Sequence, residues 1–232
     1  GKDALTANTT AADNTAVGVN ALMTVTTSAN NTAVGTSALK LNTGIDNTAV
    51  GRGALLNNST ATEGTAIGKD ALLENTTGEG NTGLGKAAMQ DNTTGSYNVG
   101  VGLNALSNNT TVDNNTAVGV NAMLVNTTGA DNVAIGRTAL DANTTGSDNT
   151  AIGMNALGAN TTAADNTAVG HDALQANTTG TNQTALGSHA LGSSTTANNN
   201  TGLGFSSLLQ NLTGAHNTAV GCAAMENNTT GT

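Results

Sequence analysis

Apolar and polar positions along the chain repeat with a period of 17. Asn-Thr-Ala-Val-Gly, or a close variant, begins at residues 14, 31, 47, 64, 81, 98, 115, 132, 149, 166, 183, 200 and 217. Successive starts differ by 17, by 16 and then ten times by 17. Written from the Asn, the unit is N-T-A-V-G-x-x-A-L-x-x-N-T-T-G-x-D, and its places are numbered 1 to 17 below. The one short unit, 31–46, lacks a residue in its Asn-Thr-Gly stretch. Such a unit is too short for a helical pair, which needs about 33 residues, and too short for a propeller blade. It suits one coil of a parallel β-solenoid, with short strands joined by tight corners rich in Gly and Asn. Thr, Asn and Gly recur too densely for any helix to exceed a turn. The pattern therefore predicts an all-β protein, a parallel β-solenoid (β-roll) of about 13 coils with 17 residues per coil, as one repeat domain over residues 1–232. The chain starts and stops in mid-unit, which reads as an excerpt of a longer fibre or as a filament unit that stacks end to end.

Aligning the units sorts the columns into inside and outside. Position 9 is Leu or Met throughout, from Leu5 through Leu140, Leu157 and Leu174 to Met225, and position 4 is Val, Ile or Leu from Val17 to Val220. Both columns are expected in the core, each side chain contributing about 1.5–3 kcal/mol by burial. Position 2 is Thr except for Val99 and Val133, which suggests a third inward column whose hydroxyl finds a backbone acceptor. A strand period of two then points positions 1, 3 and 5 away from the core. Position 3 is Ala or Gly in all thirteen units, and an outward column held so small implies a close neighbour. Ala117, Ala134, Ala151, Ala168 and Ala185 are thus the expected self-association face; the alternative is a pinched strand with both faces internal.

Positions 12 to 14 read Asn-Thr-Thr. Leu212 stands at position 13 in one unit, so position 13 is expected inward and its two neighbours outward. Asn126, Thr128, Asn143, Thr145, Asn160, Thr162, Asn177 and Thr179 would then form two exposed ladders with rungs about 4.8 Å apart. These are the candidate rows for ice binding or, because an Asn-X-Thr/Ser acceptor sequence recurs there in eleven units, for a ladder of glycans. Stacked Asn amides can equally satisfy corner backbone groups.

Composition narrows the function classes. Aromatic residues are 1% and charged residues 9% of the chain, against about 25% charged in an ordinary globular domain, which argues against a mixed α/β enzyme core. The absence of proline suits strands that all lie inside a ladder. Cys222 is the one cysteine, so there is no disulfide framework. No apolar run approaches the ~18 residues of a membrane span, and no signal segment is visible. The net charge of −9 has the wrong sign for gripping nucleic acid or anionic lipid. His171, His189 and His216 occupy the variable positions 6, 7 and 17 and are expected neither to converge nor to recur, so no catalytic residue and no cofactor is assigned and the chain is not read as an enzyme. Asp131, Asp148 and Asp165 stack at position 17 and could recruit Ca²⁺, but the nine-residue calcium-binding pattern is missing and Asn dilutes the column, so no metal site is assigned.

Asp131-Asn132-Val133-Ala134-Ile135-Gly136 and the Thr-Ala-Val-Gly variants throughout resemble the head repeats of trimeric autotransporter adhesins. The longer unit, as in Asn149–Asp165, is also similar to repeats of bacteriophage and bacterial fibre proteins. The resemblance implies a left-handed β-roll, three copies side by side, and display outside the cell, at a cell surface or on a virion, with a cell-surface or matrix receptor as partner. On this reading the chain is an extracellular structural or adhesive fibre segment, a rod of roughly 60 Å assembling as a trimer or a filament. The competing expectation is an ice-binding (antifreeze) solenoid using the Asn/Thr ladders.

Overall fold

The computed structural model describes residues 1–231, which fold as two compact units, the first over Gly1–Asn115 and the second from Thr116 onward. Both are built from the same coil. In the first unit the strands are β1 (Thr15–Val17), β2 (Thr32–Val34), β3 (Thr48–Val50), β4 (Thr65–Ile67), β5 (Thr82–Leu84) and β6 (Val99–Val101). In the second they are β7 (Thr116–Val118), β8 (Val133–Ile135), β9 (Thr150–Ile152), β10 (Thr167–Val169), β11 (Thr184–Leu186), β12 (Thr201–Leu203) and β13 (Thr218–Val220). The protein is thus an all-β parallel solenoid, and among the described residues there is no helix. Every strand is positions 2–4 of its unit, and neighbours within a unit pair parallel and in register: Val133, Ala134 and Ile135 of β8 lie opposite Thr150, Ala151 and Ile152 of β9.

Coil-to-coil bonding extends well beyond the strands. The Thr150 N–H donates to the Asn166 carbonyl (2.8 Å), Gly153 N–H to Ile135 (2.7 Å), Leu157 N–H to Ala173 (3.0 Å) and Thr144 N–H to Thr161 (2.9 Å). Backbone groups at strand, corner and return segment are therefore satisfied along the stacking direction. The 16-residue unit keeps this scheme: its deletion is absorbed in one corner, where Asn42 Nδ2 donates to the Gly44 carbonyl two residues on (2.8 Å). In full-length units the corresponding Asn reaches three residues on, as Asn160 does to Ala163.

The inside and outside of the strand are the reverse of the expectation. Ala117, Ala134, Ala151, Ala168 and Ala185 are all 0% exposed, while Ile152 beside them is 37% exposed and Leu186 is 50% exposed. The small column faces the interior, and the Thr and Val columns face out. Ala117, Ala134, Ala151, Ala168 and Ala185 are therefore not a self-association face; they line the inner wall. The physical reason is width. The Leu or Met at position 9 of the preceding coil fills the space beneath the strand: a Cβ at Gly83 would stand 3.2 Å from Leu72 Cγ, and one at Gly100 would stand 2.7 Å from Met89 Cγ. The pinched-strand alternative fails as well, because position 4 is open to solvent.

The core of an inner coil is one Leu or Met at position 9, Ala or Gly at position 3, Ala or once Ser at position 8, and the side chains of positions 1 and 12, whereas Met225, expected in the core, belongs to the last coil and is 46% exposed. Positions 8 and 9 are consecutive yet both buried, which a strand cannot do. The backbone manages it by turning through the left-handed region on either side: φ is 60° at Asn155 and 51° at Leu157. A left-handed Leu costs roughly 1–2 kcal/mol, and full burial of its side chain, about 1.5–3 kcal/mol, offsets that strain. The Asp/Asn column at position 17 has the same origin. Asp131, Asp148 and Asp165 adopt φ of 57°, 59° and 60°, a conformation that Asp and Asn tolerate better than most residues.

Candidate interaction surfaces

Two amide ladders run through the interior of the coils. At position 1, Asn149 Nδ2 donates to the Ala163 carbonyl (2.8 Å) and to Asn132 Oδ1 (3.1 Å), and Asn149 Oδ1 accepts the Asn166 N–H (3.1 Å). At position 12, Asn160 Nδ2 donates to Asn143 Oδ1 (2.9 Å) and to the Ala163 carbonyl (3.1 Å). Asn126, Asn143, Asn160 and Asn177 are fully buried. They are not half of an exposed ladder, and their amides are not open to a glycosylating enzyme in the folded protein. Buried amides demand partners, and stacking one Asn over the next supplies them: among the described residues no buried side-chain N or O lacks a hydrogen bond.

One coil departs from this pair at both positions and shows how tightly it is fitted. Gln183 replaces Asn at position 1 and Ser194 replaces Asn at position 12 of the same coil. Ser194 Oγ donates to Gln183 Oε1 (3.1 Å), and Gln183 Nε2 donates to Asn177 Oδ1 (3.0 Å). The longer side chain is accommodated by the shorter one.

Of the expected outer rows, Thr128, Thr145, Thr162 and Thr179 at position 14 are exposed. Position 13 is half-buried or exposed at the return segment, not inward. Its threonine hydroxyls bond along the stack, Thr144 Oγ1 to the Thr161 carbonyl (3.0 Å) and Thr161 Oγ1 to the Thr178 carbonyl (3.2 Å). Leu212, which suggested an inward column, is 41% exposed.

The strand face presents a second, unforeseen surface. Eleven of the thirteen strands begin with Thr, and among the described residues none of these hydroxyls bonds within the protein. Beside them runs the position-4 column, with Ile67, Ile135, Ile152 and Leu186 among its exposed members. Charge borders this face on both sides. Five of the six basic residues, Lys2, Arg52, Lys69, Lys86 and Arg137, occupy position 6, just after the strand. Eight of the fifteen acidic residues, including Asp131, Asp148 and Asp165, occupy positions 16 and 17, just before it. The signal was in the sequence, as low variance at position 3 and a basic column at position 6. Reading hydrophobicity before volume hid it.

One expectation about charged side chains also changes. Among the described residues the one cluster of metal-ligating type is His171, Asp172 and His189. Those histidines do converge. Position 6 of one coil lies against position 7 of the next, as the His189 N–H bond to the His171 carbonyl (2.9 Å) records, so residues 18 apart meet. Elsewhere, burial raises the carboxyl of Asp141 above the ordinary carboxylate value. Burial and then the neighbouring charge of Glu74 do the same to Asp91. Compared with protein-family models, with curated proteins and with solved structures, the chain gives no match.

Proposed function

We propose that the protein is a structural, adhesive segment of an extracellular fibre in which identical copies associate side by side through the Thr–Val strand face. The observation that carries this reading is the position-4 column, an apolar row open to solvent on coil after coil. Soluble surfaces seldom leave contiguous apolar rows uncovered unless something binds there. A face repeated at every coil, about 4.8 Å apart, fits a partner with the same spacing, and a second copy of the chain has it. Parallel copies around a common axis would also set the acidic corner of one against the basic corner of the next. Trimer and filament both satisfy this geometry. Display at a cell surface or on a virion, and adhesion to a cell-surface or matrix receptor, rest on the repeat's resemblance to fibre and adhesin heads.

The test is the mass of the purified chain by light scattering, with Ile135→Lys, Ile152→Lys and Val169→Lys combined as the disrupting variant. The reading expects a multimer that the triple variant reduces to single chains with unchanged β circular dichroism, and that loosens at high salt. A monomeric parent chain overturns it.

A second reading, ice binding, is favoured by one specific feature: the strand threonines form a regular row whose hydroxyls are unused inside the protein, interleaved with methyl-bearing Val and Ile. The relevant surface is then the strand face and not the Asn/Thr ladders. Thermal hysteresis that is abolished by Thr150→Lys, Thr167→Lys and Thr184→Lys, yet survives Thr145→Lys and Thr162→Lys, would establish ice binding in place of the fibre.

A further inference from the structure

The geometry points to a binding site for a divalent ion of the Zn²⁺/Cu²⁺ type at the corner formed by His171, Asp172 and His189, independent of the fibre reading. Each residue offers a donor atom within 4.8 Å of the other two. His171 Nδ1 lies 3.1 Å and His189 Nδ1 lies 3.7 Å from Asp172 Oδ2. Two ligands about 2.0–2.1 Å from a tetrahedral ion are separated by roughly 3.3 Å, so the first pair already has that spacing and the second is a few tenths of an ångström wide. An imidazole pair plus one carboxylate is a donor set suited to borderline ions and poorly suited to Ca²⁺ or Mg²⁺, which prefer all-oxygen shells. Three protein ligands leave a fourth position for water or an exogenous group.

The surroundings hold the donors in place. Asn155, one coil back, donates from Nδ2 to Asp172 Oδ1 at 2.8 Å. That bond occupies one carboxylate oxygen and leaves the other facing the histidines, an outer contact of the kind that orients metal ligands. Asp172 is largely shielded while both histidines are half-exposed, so an ion can enter from solvent and remain held from below. The rings of His171 and His189 meet edge to face at 5.4 Å, and Phe205 closes the far side of His189 at 6.1 Å. The His171–Asp172 pair has a counterpart in the first unit, where Lys69 and Asp70 occupy the same two positions of one coil and form an ion pair at 3.1 Å. In the second unit an imidazole takes the place of the Lys69 ammonium, and His189, at position 7 of the following coil, adds the third donor.

The test is calorimetric titration of Zn²⁺ alone into the Cys222→Ser chain, which removes the free thiol as a competing ligand. Substitutions are drawn from residues that the same columns already accommodate: His171→Ser (as at Ser188), His189→Asn and Asp172→Asn (as at Asn155). Folding is checked by circular dichroism. The expected result is one Zn²⁺ per chain, with affinity falling at least about tenfold in each variant and unaffected by His216→Asn. Zn²⁺ should shift the imidazole NMR signals of His171 and His189 and leave those of His216 in place. Failure of the parent to bind, undiminished binding in the His171→Ser/His189→Asn double variant, or equal binding of Ca²⁺ would overturn the proposal.

Discussion

Replacing Asn160 by Ala removes one rung from an interior amide ladder. Its side chain donates to Asn143 Oδ1 at 2.9 Å and to the Ala163 carbonyl at 3.1 Å, and its own oxygen accepts from Asn177 Nδ2 at 3.2 Å. Truncation orphans Asn143 Oδ1 and takes one of two partners from the Ala163 carbonyl, which keeps Asn149 Nδ2, and from Asn177 Nδ2, which keeps the Gly180 carbonyl. The orphaned oxygen costs about 1–3 kcal/mol and each of the two lost bonds about 0.5–1.5 kcal/mol, part of which a water entering the vacated space recovers, so the net loss is about 2–4 kcal/mol. At an m-value of about 3 kcal/mol/M the urea midpoint then falls by about 1 M. The control is Thr162→Ala, two residues along the same segment. Thr162 is exposed, and its truncation should change stability by no more than about 0.5 kcal/mol. Urea unfolding followed by circular dichroism measures both. Equal effects at the two positions would refute the interior placement of the ladder.

Other consequences follow from the same packing. Gly153 has φ 138°, and a Cβ there would lie 2.6 Å from the Gly170 carbonyl carbon; Gly153→Ala should cost about 2–4 kcal/mol in urea unfolding through strain and overpacking. Gln183→Asn and Ser194→Asn should each destabilise alone, by leaving a gap and by crowding respectively, while the double variant restores the common pair, giving a coupling of about 0.5–3 kcal/mol in a double-mutant cycle. Because burial raises the Asp141 carboxyl, the native state holds its proton more tightly than the unfolded chain does between the ordinary carboxylate value and the raised one. Stability should therefore decline as pH rises through that interval and level off above it, and Asp141→Asn should remove that share of the decline in thermal melts taken across the acid range.

The repeat, its length and its solenoid fold were legible because one unit is written thirteen times with a single deletion. The orientation of the strand was not. Thr-Ala-Val alternates cleanly, and hydrophobicity alone places Val inside and Ala outside. In a coil this narrow the deciding quantity is volume: the strand lies over Leu72, Leu140 or their equivalents, and Ala or Gly is what fits. Invariance at position 3 was the better guide. The adjacent Ala156–Leu157 pair was equally opaque, since two consecutive inward side chains require left-handed backbone at Asn155 and Leu157, and Leu carries no signature of that conformation. The convergence of His171 with His189 was hidden because it depends on which corner positions of successive coils touch. That offset of 18 follows from the turn at position 7 and not from the 17-residue period.

Thiol accessibility tests the inverted strand most directly. In the Cys222→Ser background, at a concentration where light scattering reports single chains, Ile152→Cys and Ala151→Cys are exposed in turn to a maleimide. The account predicts that the cysteine at 152 reacts like a free thiol, and that the one at 151 stays protected until urea unfolds the chain. Rapid labelling at 151 with protection at 152 would contradict it.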